Sequence, residues 1–133
     1  MNDERGERMT GAPSPPQETV EVIDEERIVP RGTAQVNWFV RFNDAWVHVS
    51  AWPGARSERL DAGAGTVWQS RTEIEVPRGT RMMRVESRPS DYARESPLDY
   101  LTRGAPSKSR RVRRNYYVVG RSGDLRLSAD SSE

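Results

Sequence analysis

The sequence predicts a mainly β protein: a small antiparallel β-sandwich or barrel of about six to eight strands, with one short helix near 97–103. Three observations carry that reading. Residues of strand type alternate apolar with polar over several runs. Turn residues recur about every ten positions, the spacing of an all-β fold. And the pentapeptide Val-Pro-Arg-Gly-Thr occurs twice, at Val29–Thr33 and Val76–Thr80. Pro presets φ for a turn and Gly accepts positive φ, so each copy reads as a corner, with Gly32 and Gly79 in the left-handed region.

The chain starts with an acidic segment. Residues 1–27 hold eight carboxylates against three arginines, and Gly11–Pro16 has the composition of a linker. Such a segment buries too little apolar surface to offset its chain entropy, so 1–27 is expected to be a disordered tail or arm. Within it, Thr19–Val22 has the pattern of a short edge strand. The β-domain is expected over 28–128, and 129–133 as a polar C-terminal tail.

After the first corner, Val36, Trp38, Val40 and Phe42 alternate with Gln35, Asn37 and Arg41. Period two marks a half-buried strand. Asn43-Asp44 is a turn pair, so Ala45–Trp52 returns as the second arm of a hairpin, which Pro53-Gly54 ends. Ser57–Gly65 reads as a polar loop. Trp68, Ser70, Thr72, Ile74 and Val76 then form one face of the cleanest strand in the chain. After the second corner Met83 and Val85 face one way, and Arg84, Glu86 and Arg88 the other; Pro89 stops the strand. Ser96 as N-cap, Pro97 in the first turn and Gly104 after the last place the helix. A final hairpin joins Arg111–Val119 to Leu125–Ser128. The expected core is Trp38, Val40, Ile74, Val76 and Val85.

Composition narrows function without naming it. The 133 residues suit one domain. There is no cysteine, which excludes disulfides and thiolate metal sites. No apolar run has the roughly 20 residues of a membrane helix, and the polar start lacks a secretory h-region. The expectation is a protein made in the cytoplasm, without membrane insertion, free to leave the cell within a larger particle.

The strongest chemical signal is Leu101–Arg121, which carries Arg103, Lys108, Arg110, Arg111, Arg113, Arg114 and Arg121 with no acid. Tyr116 and Tyr117 follow the basic run. A basic segment entering an aromatic strand has the parts to track phosphates and stack bases. In strand geometry Arg110 and Arg114 share a face with Tyr116, and Arg111 and Arg113 share the other with Tyr117. The net charge of +1 is a poor footprint for a dedicated nucleic-acid binder. Phe39 and Met82 are read as outward apolar contacts. His48, the only histidine, has Asp44 and Ser50 close in sequence and reads as a strand residue without a catalytic role. Asp91, Glu95 and Asp99 read as a solvated face. No phosphate loop and no metal-ligand spacing occurs.

The sequence thus points to a non-catalytic interaction or assembly module that contacts protein partners or copies of itself, such as a subunit of a virion, with no cofactor. The alternative is a nucleic-acid-binding accessory protein using 103–117.

Overall fold

The computed structural model describes residues 15–89 and 110–128. Eight antiparallel strands form one sheet: β1 Gln17–Val29, β2 Gly32–Phe42, β3 Ala45–His48, β4 Arg56–Arg59, β5 Thr66–Pro77, β6 Arg81–Pro89, β7 Arg110–Val119 and β8 Leu125–Ser128. The order across the sheet is β4-β5-β1-β2-β6-β7-β8, and β3 pairs with β2 beside β1. The sheet does not close, and the small antiparallel β-sandwich or barrel-like fold expected from the sequence is present. The expected helix at 97–103, the chain before residue 15 and the tail 129–133 lie outside the described residues.

β1 corrects the expected organisation. Gln17–Arg27 is not a loose arm but part of a strand that pairs with β5 along its length and with β2 from Glu25 to Val29. Thr19–Val22 pairs with β5 alone, as an edge strand does, and β1 gains its second neighbour, β2, only from Glu25 onward. The reason is its alternation. Glu18, Val20, Val22 and Asp24 are buried, while Thr19, Glu21 and Ile23 are exposed. Charge counted along the chain mixes these two faces; period two separates them. A second correction is β4, Arg56–Arg59, which runs into the loop expected at Ser57–Gly65 and pairs with β5.

The two corners have the expected positive φ at glycine, +146° at Gly32 and +93° at Gly79. They do different work, however. The first closes the β1–β2 hairpin, where Val29 faces Gly32 and Arg31 itself takes φ 74°. The second joins β5 to β6, which are not neighbours in the sheet. Its turn is closed by the Thr80 N–H donating to the Pro77 carbonyl at 3.1 Å. Identical residues therefore make a hairpin in one place and a crossing in the other, because the pairing partners of the flanking strands decide where the chain goes.

The core consists of Val20 and Val22 of β1, Val40 of β2, Val49, Ile74 and Val76 of β5, Met82 of β6 and Val119 of β7. Trp38, Trp52, Ala55 and Leu125 pack against it. Each fully buried aliphatic chain contributes roughly 1.5–3 kcal/mol of transfer free energy. Three expectations change. Met82 is fully buried, not outward; Trp38 is half-buried at the core margin, 5.3 Å from Tyr117 between ring centroids; and Val85 is half-exposed. Met83, on the opposite face, is buried too. At this point β6 is covered on both sides, so local alternation does not identify the core face.

Glu18 ties the remote parts together. Its carboxylate accepts from Arg78 Nε and from the Ser122 N–H, both at 2.7 Å. Arg78 lies in the β5–β6 corner and Ser122 in the β7–β8 turn. The same corner is held by Arg78 N–H to the Pro16 carbonyl and Gly79 N–H to the Val119 carbonyl. The β7–β8 turn also sits so tightly on β1 that a Cβ at Gly123 would collide with the Thr19 carbonyl oxygen.

Two predictions follow from these contacts. Gly79 and Gly123 both have positive φ, but only Gly123 meets backbone. Gly79→Ala is expected to cost about 1–2 kcal/mol, the left-handed penalty alone. Gly123→Ala should cost about 3 kcal/mol or more, since the turn must also move; urea midpoints of the two variants test the ranking. The hydrogen bond from Arg78, aided by the Ser122 N–H, holds the Glu18 carboxyl below its ordinary value against the opposing effect of burial. A depressed folded value means stability that is present above the ordinary glutamate range and lost as pH falls through the folded one. Wild type should therefore lose stability below about pH 4 more steeply than Glu18→Gln, measured by denaturant unfolding across the acid range.

Candidate nucleic-acid interface

Cross-strand partners in an antiparallel sheet share a face, so register alone assigns the basic and aromatic residues. On the face away from the core, Phe39 of β2 lies opposite His48 of β3 and Met83 of β6. Met83 in turn lies opposite Tyr116, and Val85 opposite Arg114. Arg41 pairs with Trp46, Pro89 with Arg110, and Val118 with both Arg81 and Arg126. This outer face therefore gathers Phe39, Trp46, His48 and Tyr116 with Arg41, Arg81, Arg110, Arg114 and Arg126. Among β2, β3, β6, β7 and β8 the one carboxylate is Glu86, and it points to the other face.

The aromatic groups form a connected patch. Trp46 and Tyr116 have ring centroids 5.9 Å apart, tilted by 44°. Phe39 meets His48 edge to face at 5.4 Å. The Arg41 guanidinium lies over Trp46, 5.1 Å from the ring centroid, where the π face attracts a cation. Phe39, Trp46 and Tyr116 are half-buried, leaving ring surface open, and Arg114 is exposed. Arg110 is anchored: its guanidinium donates to Ser87 Oγ at 2.7 Å and to the carbonyls of Thr33 and Ser87. Arg126 pairs with Asp124 at 3.4 Å.

The core face of the β6–β7 hairpin is also basic beyond Met82. Glu86 lies opposite Arg113 and Arg88 opposite Arg111. With Val112 these side chains line a groove of about 360 Å³. Arg84 approaches Glu86 at 3.6 Å. β8 pairs only with Tyr116–Val119, so the Arg110–Asn115 half of β7 lies past the end of β8.

Of the residues singled out by sequence, Arg110, Arg114, Tyr116 and Phe39 meet on the outer face. Arg111, Arg113 and Tyr117 lie on the core-side face, with Tyr117 against Trp38. Met82 belongs to the core. Arg103 and Lys108 lie outside the described residues. Sequence reasoning missed Trp46, Arg41 and His48 as members of the patch. Their signal was present in the β2–β3 hairpin, whose register pairs Arg41 with Trp46, but their meeting with Tyr116 needs the non-local β2–β6–β7 order.

Charge is segregated across the sheet. β1, β4 and β5 carry eight carboxylates and four arginines. The β6–β7 hairpin carries seven arginines and one glutamate. A net charge near zero thus conceals one acidic and one basic half. Among the described residues, no group of three or more His, Cys, Asp or Glu could hold a metal ion, and no helix is long and apolar enough to cross a membrane. The chain matches no protein-family model, no curated protein and no solved structure.

Proposed function

We propose that the chain binds single-stranded nucleic acid through the outer face of β2, β3, β6 and β7. The observation that supports this reading is the register: it gathers Trp46, Tyr116 and Phe39 with Arg41, Arg110 and Arg114 on one carboxylate-free face of these strands. Open ring surface suits stacking of unpaired bases, which is sequence-tolerant because every base has a π face. Arginine forks suit the intervening phosphates. A duplex hides its base faces, so this patch favours single strands.

A second reading is assembly with protein partners or copies of itself. It is supported by β4 and β8, which end the sheet among the described residues, and by Leu127 on β8, which is 67% exposed. An unpaired edge with an apolar side chain is a template for strand addition.

The readings separate in one set of measurements on the intact chain. Fluorescence anisotropy with a labelled single-stranded oligonucleotide should show affinity falling with salt, with a log–log slope of about 0.7 per phosphate contact. Arg41→Ser and Arg114→Ser should each reduce that slope by about 0.7. Trp46→Ala should weaken binding by about 1–3 kcal/mol with little change in slope. No binding at about 50 mM salt, where phosphate contacts are strong, would overturn the nucleic-acid reading. Sedimentation of wild type and Leu127→Arg tests the second: self-association through β8 should be lost in the variant.

A further inference from the structure

His48 is part of a hydrogen-bonded chain that nucleic-acid binding does not use. Asp24 Oδ2 lies 2.6 Å from His48 Nε2. On the other side of the ring, Nδ1 lies 2.7 Å from Ser50 Oγ. The carboxylate is buried, its side chain only 5% exposed, and its other oxygen accepts the Trp38 N–H at 2.9 Å. The hydroxyl end is exposed.

The protonation pattern follows from the partners. The Ser50 backbone N–H donates to Nδ1 at 3.1 Å. A backbone N–H is always a donor, so Nδ1 presents its lone pair. Nε2 then carries the ring proton and donates it to Asp24. With a lone pair on Nδ1, the short contact to Oγ requires that the serine hydroxyl donate. The result is a nucleophile hydrogen-bonded to a base, and a base whose tautomer is held by a buried carboxylate.

We propose that Ser50 is an activated nucleophile, with His48 as its general base and Asp24 as a positioning residue, acting on small acyl esters. The open position of Ser50 suits a small, unhindered ester with a good leaving group. Oγ attacks the ester carbonyl carbon while Nδ1 takes the hydroxyl proton, and the carbonyl π pair moves to oxygen. Collapse restores the carbonyl, breaks the bond to the alcohol oxygen and returns the proton from Nδ1 to the departing alcohol. Acyl-Ser50 remains. Water, deprotonated by His48 in the same way, then releases the carboxylic acid and regenerates the hydroxyl. The imidazolium formed in each half faces the Asp24 carboxylate. His48 also borders the aromatic patch at Phe39, but the readout is a covalent adduct on Ser50, which lies outside that patch, so its test is independent of the nucleic-acid reading.

The test uses the intact chain and para-nitrophenyl acetate, with peptide mapping of the adduct. Acetyl should be found on Ser50, at a rate about 100-fold or more above that of His48→Gln, the scale of general-base assistance. Ser50→Ala should lose the serine adduct, and circular dichroism establishes that both variants remain folded. Because His48 is the only histidine, long-range ¹⁵N–¹H spectra report its tautomer without overlap. Wild type should show Nε2–H. In Asp24→Asn, amide donation to Nε2 should shift the proton to Nδ1 and abolish the adduct, a change that loss of packing alone would not produce. An Nδ1–H tautomer in wild type, acetylation confined to Lys108, the N-terminus or the imidazole, or a Ser50 adduct formed equally fast in folded His48→Gln would each overturn the proposal.

Discussion

One edge of β2 changes partner along its length, and Asp24 makes that change possible. β1 pairs with Gly32–Val36 and β3 with Phe39–Phe42, while β6 runs along the opposite edge. Where β1 departs, the Asp24 carboxylate accepts the Trp38 N–H, a ladder donor that a neighbouring strand would otherwise satisfy. Its second oxygen faces His48 at the end of β3. A single side chain thus joins three strands at the point where the sheet bends around its core. Burial pushes the Asp24 carboxyl upward in pKa, against the opposing effects of His48 and the Trp38 N–H. The handover also fixes where the β2–β3 hairpin lies, and hence that Trp46 reaches Tyr116.

Acidic and basic residues are sorted by strand. β1 lies in the middle of the sheet because its acids occupy defined places: Glu18 clasps two turns, Asp24 holds the strand handover, Glu25 and Glu26 accept from Gln69 and Trp68, and Glu21 pairs with Arg71. Among the described residues, β6 and β7 hold one carboxylate, Glu86, which Arg84 approaches. Exposed ion pairs are individually weak, so the segregation matters more for the field at the surface than for folding. A basic half beside aromatic rings attracts polyanions even when the whole molecule is close to neutral.

Much of this was legible in residue patterns. Period two located β2, β5, β6 and β7; Asn43-Asp44 and the Gly120–Gly123 turn located two hairpins; and the alternation of Arg110–Tyr117 between faces agrees with the observed register. The misreadings share a cause. Met82 is buried in the core and Met83 between Phe39 and Tyr116 on the other face, and alternation reports only that the faces differ. The acidic segment looked unable to fold because its charges were counted along the chain and not by face. Asp24 continues the inward series Val20–Val22, and a carboxylate at that position needs a buried partner. That was a signal for His48, but the two are separated by an entire hairpin, and Asp44, nearer in sequence, is not the residue that meets it.

By itself, the sequence determined the strands β2, β5, β6 and β7 and the turns that flank them, because side-chain alternation and the φ demands of Pro, Gly and Asn are local properties. It also determined that the arginines of β7 divide between two faces. Only the tertiary structure decided which strands are neighbours, which face is covered, and which distant residues meet. Strand order depends on backbone pairing between segments far apart in the chain, and the same Val-Pro-Arg-Gly-Thr can close a hairpin or a crossing. The aromatic–arginine patch and the Asp24–His48–Ser50 chain both arise from that order, so neither is written in any single stretch of residues.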